Sequence, residues 1–288
     1  MKQFKRTKLN SAGFAHIEAL VIIIVIVVIV FVGGFVYQNS ADTKYHTAVK
    51  PAYDKQSTQM AVVYKSFGRP VFSSNDSTPD SDKQDLSFIN TAIQDAQSET
   101  NNLTTQNKLM IVPGLSWMSS VSKTSKENTA VKQYINDSNA FLTNYQTLST
   151  YVTQLEKIEN TQLTAFTDSV NQVSDATSLT ELSTTTGNAS KKLSTTIDSL
   201  RTLKPTSDVQ KINTDLINDL DNMNTDLKNI AAGADAKNSA AISSAANKLV
   251  QDSTTLEAFA GTDVASILQG DSQIHQQITK LEAEKPLQ

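Results

Sequence analysis

The sequence predicts an all-α protein: a single N-terminal transmembrane helix followed by an extracytoplasmic, antiparallel helical bundle. Three observations predict it. Residues 19–37, ALVIIIVIVVIVFVGGFVY, carry no charged or strongly polar side chain. Basic residues gather on one side of that run. Beyond it, apolar residues recur at steps of three and four in at least five segments, and no convincing pair of strands is evident.

The apolar run has 19 residues, roughly 28 Å of helix at about 1.5 Å per residue. The hydrocarbon core of a bilayer is about 30 Å thick, so the run is long enough to span it. A secretory signal peptide has a shorter apolar region, about 7–15 residues, followed by a small-residue cleavage site. Tyr37-Gln38-Asn39-Ser40 is a poor match to such a site, and the segment is read as retained. Lys2, Lys5, Arg6 and Lys8 precede the span, and no acid appears before Glu18. Basic flanks stay on the cytoplasmic side. The expected topology is single-pass, in a cytoplasmic or inner membrane, with the N-terminus inside and the C-terminal domain outside.

The helices are taken in chain order. The membrane helix is expected to run past Tyr45 as far as Phe67-Gly68-Arg69-Pro70, with Pro51 kinking it or starting a new helix, because proline lacks the N–H and clashes with the preceding turn. Leu86, Ile89, Ile93, Ala96, Leu103 and Met110 mark a second helix, begun at Pro79-Asp80-Ser81. Val131, Tyr134, Phe141, Tyr145, Leu148, Val152 and Leu155 share one face, and the stripe resumes at Leu163, Phe166, Val170 and Val173. That pattern covers about 45 residues, nearly 70 Å if unbroken, with a bend expected near Asn160. Leu179 to Leu203 forms another amphipathic segment before Pro205.

From Val209 the apolar positions are Ile212, Leu216, Leu220, Met223, Leu227 and Ile230, with Gly233 as the expected stop. Ile242, Ala245, Leu249, Leu256 and Phe259 follow, ended by Gly261, and the pair reads as a hairpin of helices. Val264, Ile267, Ile274, Ile278 and Leu281 mark a last, shorter helix. The expected organisation is a leader at 1–13, the transmembrane helix at 14–40, a helical stalk and first helical region at 41–175, and a C-terminal helical bundle at 176–288.

Composition narrows the chemistry. Setting aside the four basic residues and Glu18 before the span leaves 21 Lys and Arg against 28 Asp and Glu, a balance of −7. An acidic, polar surface argues against nucleic acid as a partner. The chain has no cysteine and three histidines, His16, His46 and His275, each far from the others in sequence. No His-Glu-x-x-His motif or dense carboxylate loop supplies metal ligands, and no glycine-rich phosphate loop is present. Asp76, Asp80, Asp82 and Asp85 lack the glycine and final glutamate of a calcium loop; they suit the start of a helix, where acids are stabilised. Neither catalysis nor a cofactor or metal is expected.

One segment is unusual. Leu109-Met-Ile-Val-Pro-Gly-Leu-Ser-Trp-Met118 is apolar and holds the only tryptophan. Leu115, Trp117 and Met118 form either a contact surface for a partner or the membrane, or a loop folded back to plug the end of the bundle; the second reading is preferred.

The N-terminus carries a second pattern. Gly13 precedes Phe14, Glu18 is the fifth residue counted from that phenylalanine, and the spanning run follows at once. This resembles the N-terminus of type IV prepilins and pseudopilins, the class III signal. The resemblance covers about residues 5–37. It implies that a prepilin peptidase cuts between Gly13 and Phe14 and methylates the new amine of Phe14. It also implies that Glu18 pairs with the N-terminal amine of a neighbouring pilin or related subunit. A carboxylate at the edge of hydrocarbon is costly without a partner, although Glu18 can also lie in the headgroup layer of an ordinary anchor. Pilin heads are usually α+β, and this chain departs from them after residue 37. The expected function is a membrane-anchored, pilin-like protein whose helical head serves surface assembly or contact. The alternative is a plain anchored scaffold, adhesin or binding module. The expected partners are the lipid bilayer, a prepilin peptidase and like or related pilin subunits.

Overall fold

The computed structural model describes residues 11–66, 79–111, 116, 118–260 and 272–287, with side chains placed from residue 25 onward except at 79–82 and 254–260. Every regular element among them is helical. The elements are α1 (Ser11–Ser66), α2 (Pro79–Gln106), α3 (Ser119–Ile158), a π-helical turn (Glu159–Leu163), α4 (Thr164–Ser174), α5 (Leu179–Arg201), α6 (Ser207–Asp235), α7 (Ser239–Ala260) and α8 (Gln273–Ala283).

Four sequence expectations need correction. Pro51 does not begin a new helix; it lies inside α1. Pro51 and Thr47, whose carbonyl loses its usual donor, are both exposed, so water can satisfy that carbonyl and the helix continues. Met110 is not part of α2, which ends at Gln106, and it is exposed. Gly233 does not stop α6. It is buried within the helix, which runs two residues further, and Lys237 takes the left-handed backbone conformation instead, at φ 52°. A buried glycine is useful there for a different reason, since a Cβ would lie 3.0 Å from Ile242 Cγ1 and 3.2 Å from its main-chain nitrogen. The stripe on α6 is also narrower than its apolar residues imply. Ile212 and Leu216 are half-buried, while Asn213 between them is buried.

Near Asn160, where a bend is expected, the helix carries a π-helical turn. In the π-helical turn the Thr164 N–H donates to the Glu159 carbonyl, five residues back. Such a turn inserts one residue and shifts the face that follows, which is how one stripe serves α3 and, after the shift, α4.

The chain divides into two compact units. The first comprises Met1–Asp54, Asn102–Gln133 and Pro286–Gln288; the second comprises Lys55–Asn101 and Tyr134–Lys285. In the first unit the described core holds Tyr45, Val49, Ala52, Leu103, Val121 and Val131, with Met118 packed on Val121.

In the second unit Met60, Val63, Ile89, Ile93, Phe141, Tyr145 and Leu148 are buried. Tyr64 meets Phe141 edge-on at 5.5 Å, and Phe141 stacks on Tyr145 at 5.9 Å. Aromatic residues are scarce further along, and Leu193, Ile197, Leu200, Leu220, Leu227 and Ile230 form the core where α6 packs on α5 and α7. Each such side chain contributes about 1.5–3 kcal/mol when fully buried.

The abundant Ser, Thr and Asn are not confined to the surface. Gln56 Nε2 donates to Thr100 Oγ1 at 3.2 Å and to Ser138 Oγ at 3.3 Å, tying α1, α2 and α3 together inside the second unit. The hydroxyls of Ser66 and Tyr145 lie 2.6 Å apart. Tyr151 donates to Asn213 Oδ1 at 3.2 Å, which accounts for the buried asparagine on α6. Asn224 accepts from Ser190 and donates to Ser194 on α5. A buried polar group costs stability unless its partner is in place, so each contact specifies one register of neighbouring helices.

Helix starts follow the same economy. Ser178 accepts from the Glu181 N–H, and Glu181 accepts from the Thr177 N–H at 2.9 Å, a reciprocal cap that holds the Glu181 carboxyl below the usual range. At α8, Ser272 accepts from the His275 N–H, while Asp208 of α6 takes the N–H groups of Gln273 and Ile274 at 2.8 and 3.3 Å. One acid thus lies at the start of α6 and caps a second helix.

Candidate functional site

The candidate site is the apolar part of α1 and the polar collar at its end. Among the described residues, one helix is long and apolar enough to cross a membrane, and it is α1. Its large apolar side chains from Val25 to Tyr37 are between 48 % and 68 % exposed. β-branched residues crowd this run. They are ordinary helix formers at best, but in hydrocarbon an unsatisfied backbone group costs several kcal/mol and helix is the structure that satisfies every one.

Gln38, directly after that run, is the first buried residue among the described side chains of α1. From here to Asp54, within the first unit, the buried residues of α1 are Gln38, Asp42, Tyr45, Val49 and Ala52, a stripe at helical spacing whose first three members are polar. Gln38 Nε2 donates to Asp42 Oδ1 at 2.9 Å and to the main-chain carbonyl of Met110 at 3.2 Å. The chain following α2 therefore meets α1 at the last turn of the apolar run. Tyr45 donates to Asn107 Oδ1 at 2.8 Å. Asn128 Nδ2 donates to the same oxygen at 2.9 Å. Burial pushes the Tyr45 hydroxyl up to about 12, so it remains a hydrogen-bond donor at any physiological pH. Beside it, His46 Nε2 lies 3.4 Å from Glu127 Oε2.

This collar fastens α1 to the chain that leaves α2 and enters α3 within the first unit. No group of three or more acids or histidines with metal-binding geometry occurs among the described residues.

The residues singled out by the sequence fall as follows. Gly13, Phe14 and Glu18 lie in the first two turns of α1, with their side chains outside the described part. Leu115 and Trp117 lie outside the described residues; Met118 is buried. The collar was not anticipated. Its signal was present as Gln38, Asp42 and Tyr45 at steps of four and three, continuing the line of the span with polar residues.

A second cluster lies in the second unit. Lys280 Nζ is 2.8 Å from Asp137 Oδ2. Glu284, half-buried beside them, has its carboxyl pushed up to about 7, first by burial, then by a hydrogen bond with Asp137 and the charge of Asp137, against the pull of Lys280.

No family model matches this chain, and comparison with curated proteins and with solved structures yields no match.

Proposed function

We propose that this protein is a membrane-anchored, pilin-like or pseudopilin-like component, inserted by α1 with its basic N-terminus in the cytoplasm, whose extracytoplasmic helical head serves surface assembly or contact without catalysis. The observation that carries the reading is the division of labour along α1. From Val25 to Tyr37 it is an exposed apolar helix, and from Gln38 onward it is built into the folded chain by buried side chains. A subunit that is to be held in a bilayer and then packed beside others by the same helix needs that arrangement. The Gly13-Phe14 and Glu18 pattern at its start supplies the processing step and the pairing charge. Neighbouring helices joined by short turns, such as α5 with α6 and α6 with α7, support an antiparallel bundle as the head.

One observation favours the alternative of a plain anchored scaffold or binding module. The described head contains no sheet, whereas pilin heads usually pack one on the first helix. The N-terminal residue of the mature protein separates the two readings. Intact-mass analysis of the protein from native membranes should give a chain starting at Phe14, with the mass of a methyl group added. A chain beginning at Met1 or Lys2 leaves the anchored scaffold. Protease added outside intact cells or spheroplasts should remove a C-terminal tag, and protection of the tag would reverse the orientation.

A further inference from the structure

We infer that the junction of α1 with the chain leaving α2 is a binding site for the phosphate headgroup of an anionic phospholipid, with Lys44 and Lys108 as its basic side chains. The inference rests on α1 crossing a bilayer. A groove of about 310 Å³ opens in the first unit directly beyond the apolar run, lined by Tyr37, Ser40 and Lys44 of α1 and by Lys108 and Met110 of the following connection. Its two lysines are exposed, and neither makes an ion pair with a described residue.

Position along the helix identifies the occupant. Tyr37 closes the hydrocarbon-length run, at the level where tyrosines sit in membrane interfaces. Lys44 is seven residues on, roughly 10 Å along the axis, and its flexible stem lets the ammonium reach back toward a headgroup layer about 5–7 Å thick. Lys108 and Met110 come to the same level because the Met110 carbonyl is held by Gln38. Met110, which lines the groove together with Tyr37, is 62 % exposed, and the next residue, Ile111, is 43 % exposed. The groove thus offers apolar contact on its membrane side and cationic charge on its outer side, in the order in which a phospholipid presents its glycerol end and its phosphate. A free phosphate would have use only for the lysines.

The test uses full-length protein in detergent, titrated separately with phosphatidylglycerol and phosphatidylcholine and read by native mass spectrometry. Wild type should retain phosphatidylglycerol over phosphatidylcholine by at least about fivefold, and each lysine lost should reduce binding about fivefold. Lys44→Gln with Lys108→Gln should abolish the preference at unchanged helicity, while Lys191→Gln with Lys228→Gln, both exposed and outside the groove, should keep it. Equal retention of the two lipids by wild type, or a preference that survives the first double variant, would overturn the site. Carbonate extraction of membranes tests the anchor separately. Wild type that stays in the pellet without lipid preference removes the site and leaves the anchor; wild type released into the supernatant removes both.

Discussion

Asn107 and Asn128 each donate a side-chain amide hydrogen to the other's main-chain carbonyl, at 3.3 and 3.2 Å. Asn107 directly follows the last residue of α2, and Asn128 lies in α3. The pair closes the gap left where α2 stops, and it gives Tyr45 of α1 a fixed acceptor.

Asn128→Ala removes a donor to two buried oxygens of Asn107. Asn107 Oδ1 keeps the Tyr45 hydroxyl, while the Asn107 main-chain carbonyl loses its side-chain donor, so the change should cost about 1–3 kcal/mol, the usual penalty for a buried polar atom left without a partner. Asn139→Ala, exposed on the same helix, should change stability by less than about 0.5 kcal/mol. Thermal melts of the full-length variants in detergent, followed by circular dichroism, measure both. Equal midpoints would mean that the asparagine pair does not hold the collar.

Leu220 is fully buried on α6, and Asn222 is exposed two residues away. Leu220→Asp places a charge into a seam of aliphatic side chains and should cost several kcal/mol or unfold the region. Asn222→Asp should cost well under about 1 kcal/mol. The same melts compare them, and similar losses in the two variants would show that α6 presents a different face to its neighbours.

Two helical glycines should respond in opposite directions. A Cβ at Gly187 would meet nothing within 4 Å, so Gly187→Ala should stabilise by up to about 1 kcal/mol through helix propensity alone. At Gly233 the added carbon presses on the side chain and main chain of Ile242. Gly233→Ala should therefore lose that gain and lower the midpoint. If both variants are stabilised alike, α6 and α7 do not approach as closely as the structure places them.

Glu284 sets a pH dependence. Its folded carboxyl is raised from 4.5 to about 7, so the folded state keeps a proton that the unfolded chain releases. Stability from this group is fully present below about pH 4.5 and is lost as pH rises to about 7, after which it levels off. Glu284→Gln cannot ionise and should abolish this component. The difference in midpoint between wild type and variant should then grow in the variant's favour from about pH 5 to about pH 8. A constant difference across that range would show that Glu284 titrates as an ordinary surface acid.

The elements of strong periodicity were legible in the amino-acid sequence: an N-terminal helix long and apolar enough to cross a membrane, the all-helical class of the described residues, and the course of α2, α3, α5 and α6. Apolar residues at helical spacing state which face must leave water, and hydrocarbon-length runs state which solvent they enter, so neither requires knowledge of a neighbour. Their ends were less legible. Pro51 stays within α1 and Gly233 within α6 because solvent access decides the first and a passing helix the second, and both belong to the environment rather than to the residue. The collar is the clearest case. Gln38, Asp42, Tyr45, Asn107 and Asn128 are residues that sequence patterns assign to surfaces and turns, and three of them lie more than 50 positions from the other two in pairs such as Tyr45 with Asn107. A hydrogen bond is worth having in a core only when both partners arrive together, so the tertiary structure alone decides that these polar groups are buried. The apolar stripes, whose burial needs no particular partner, declare themselves in advance.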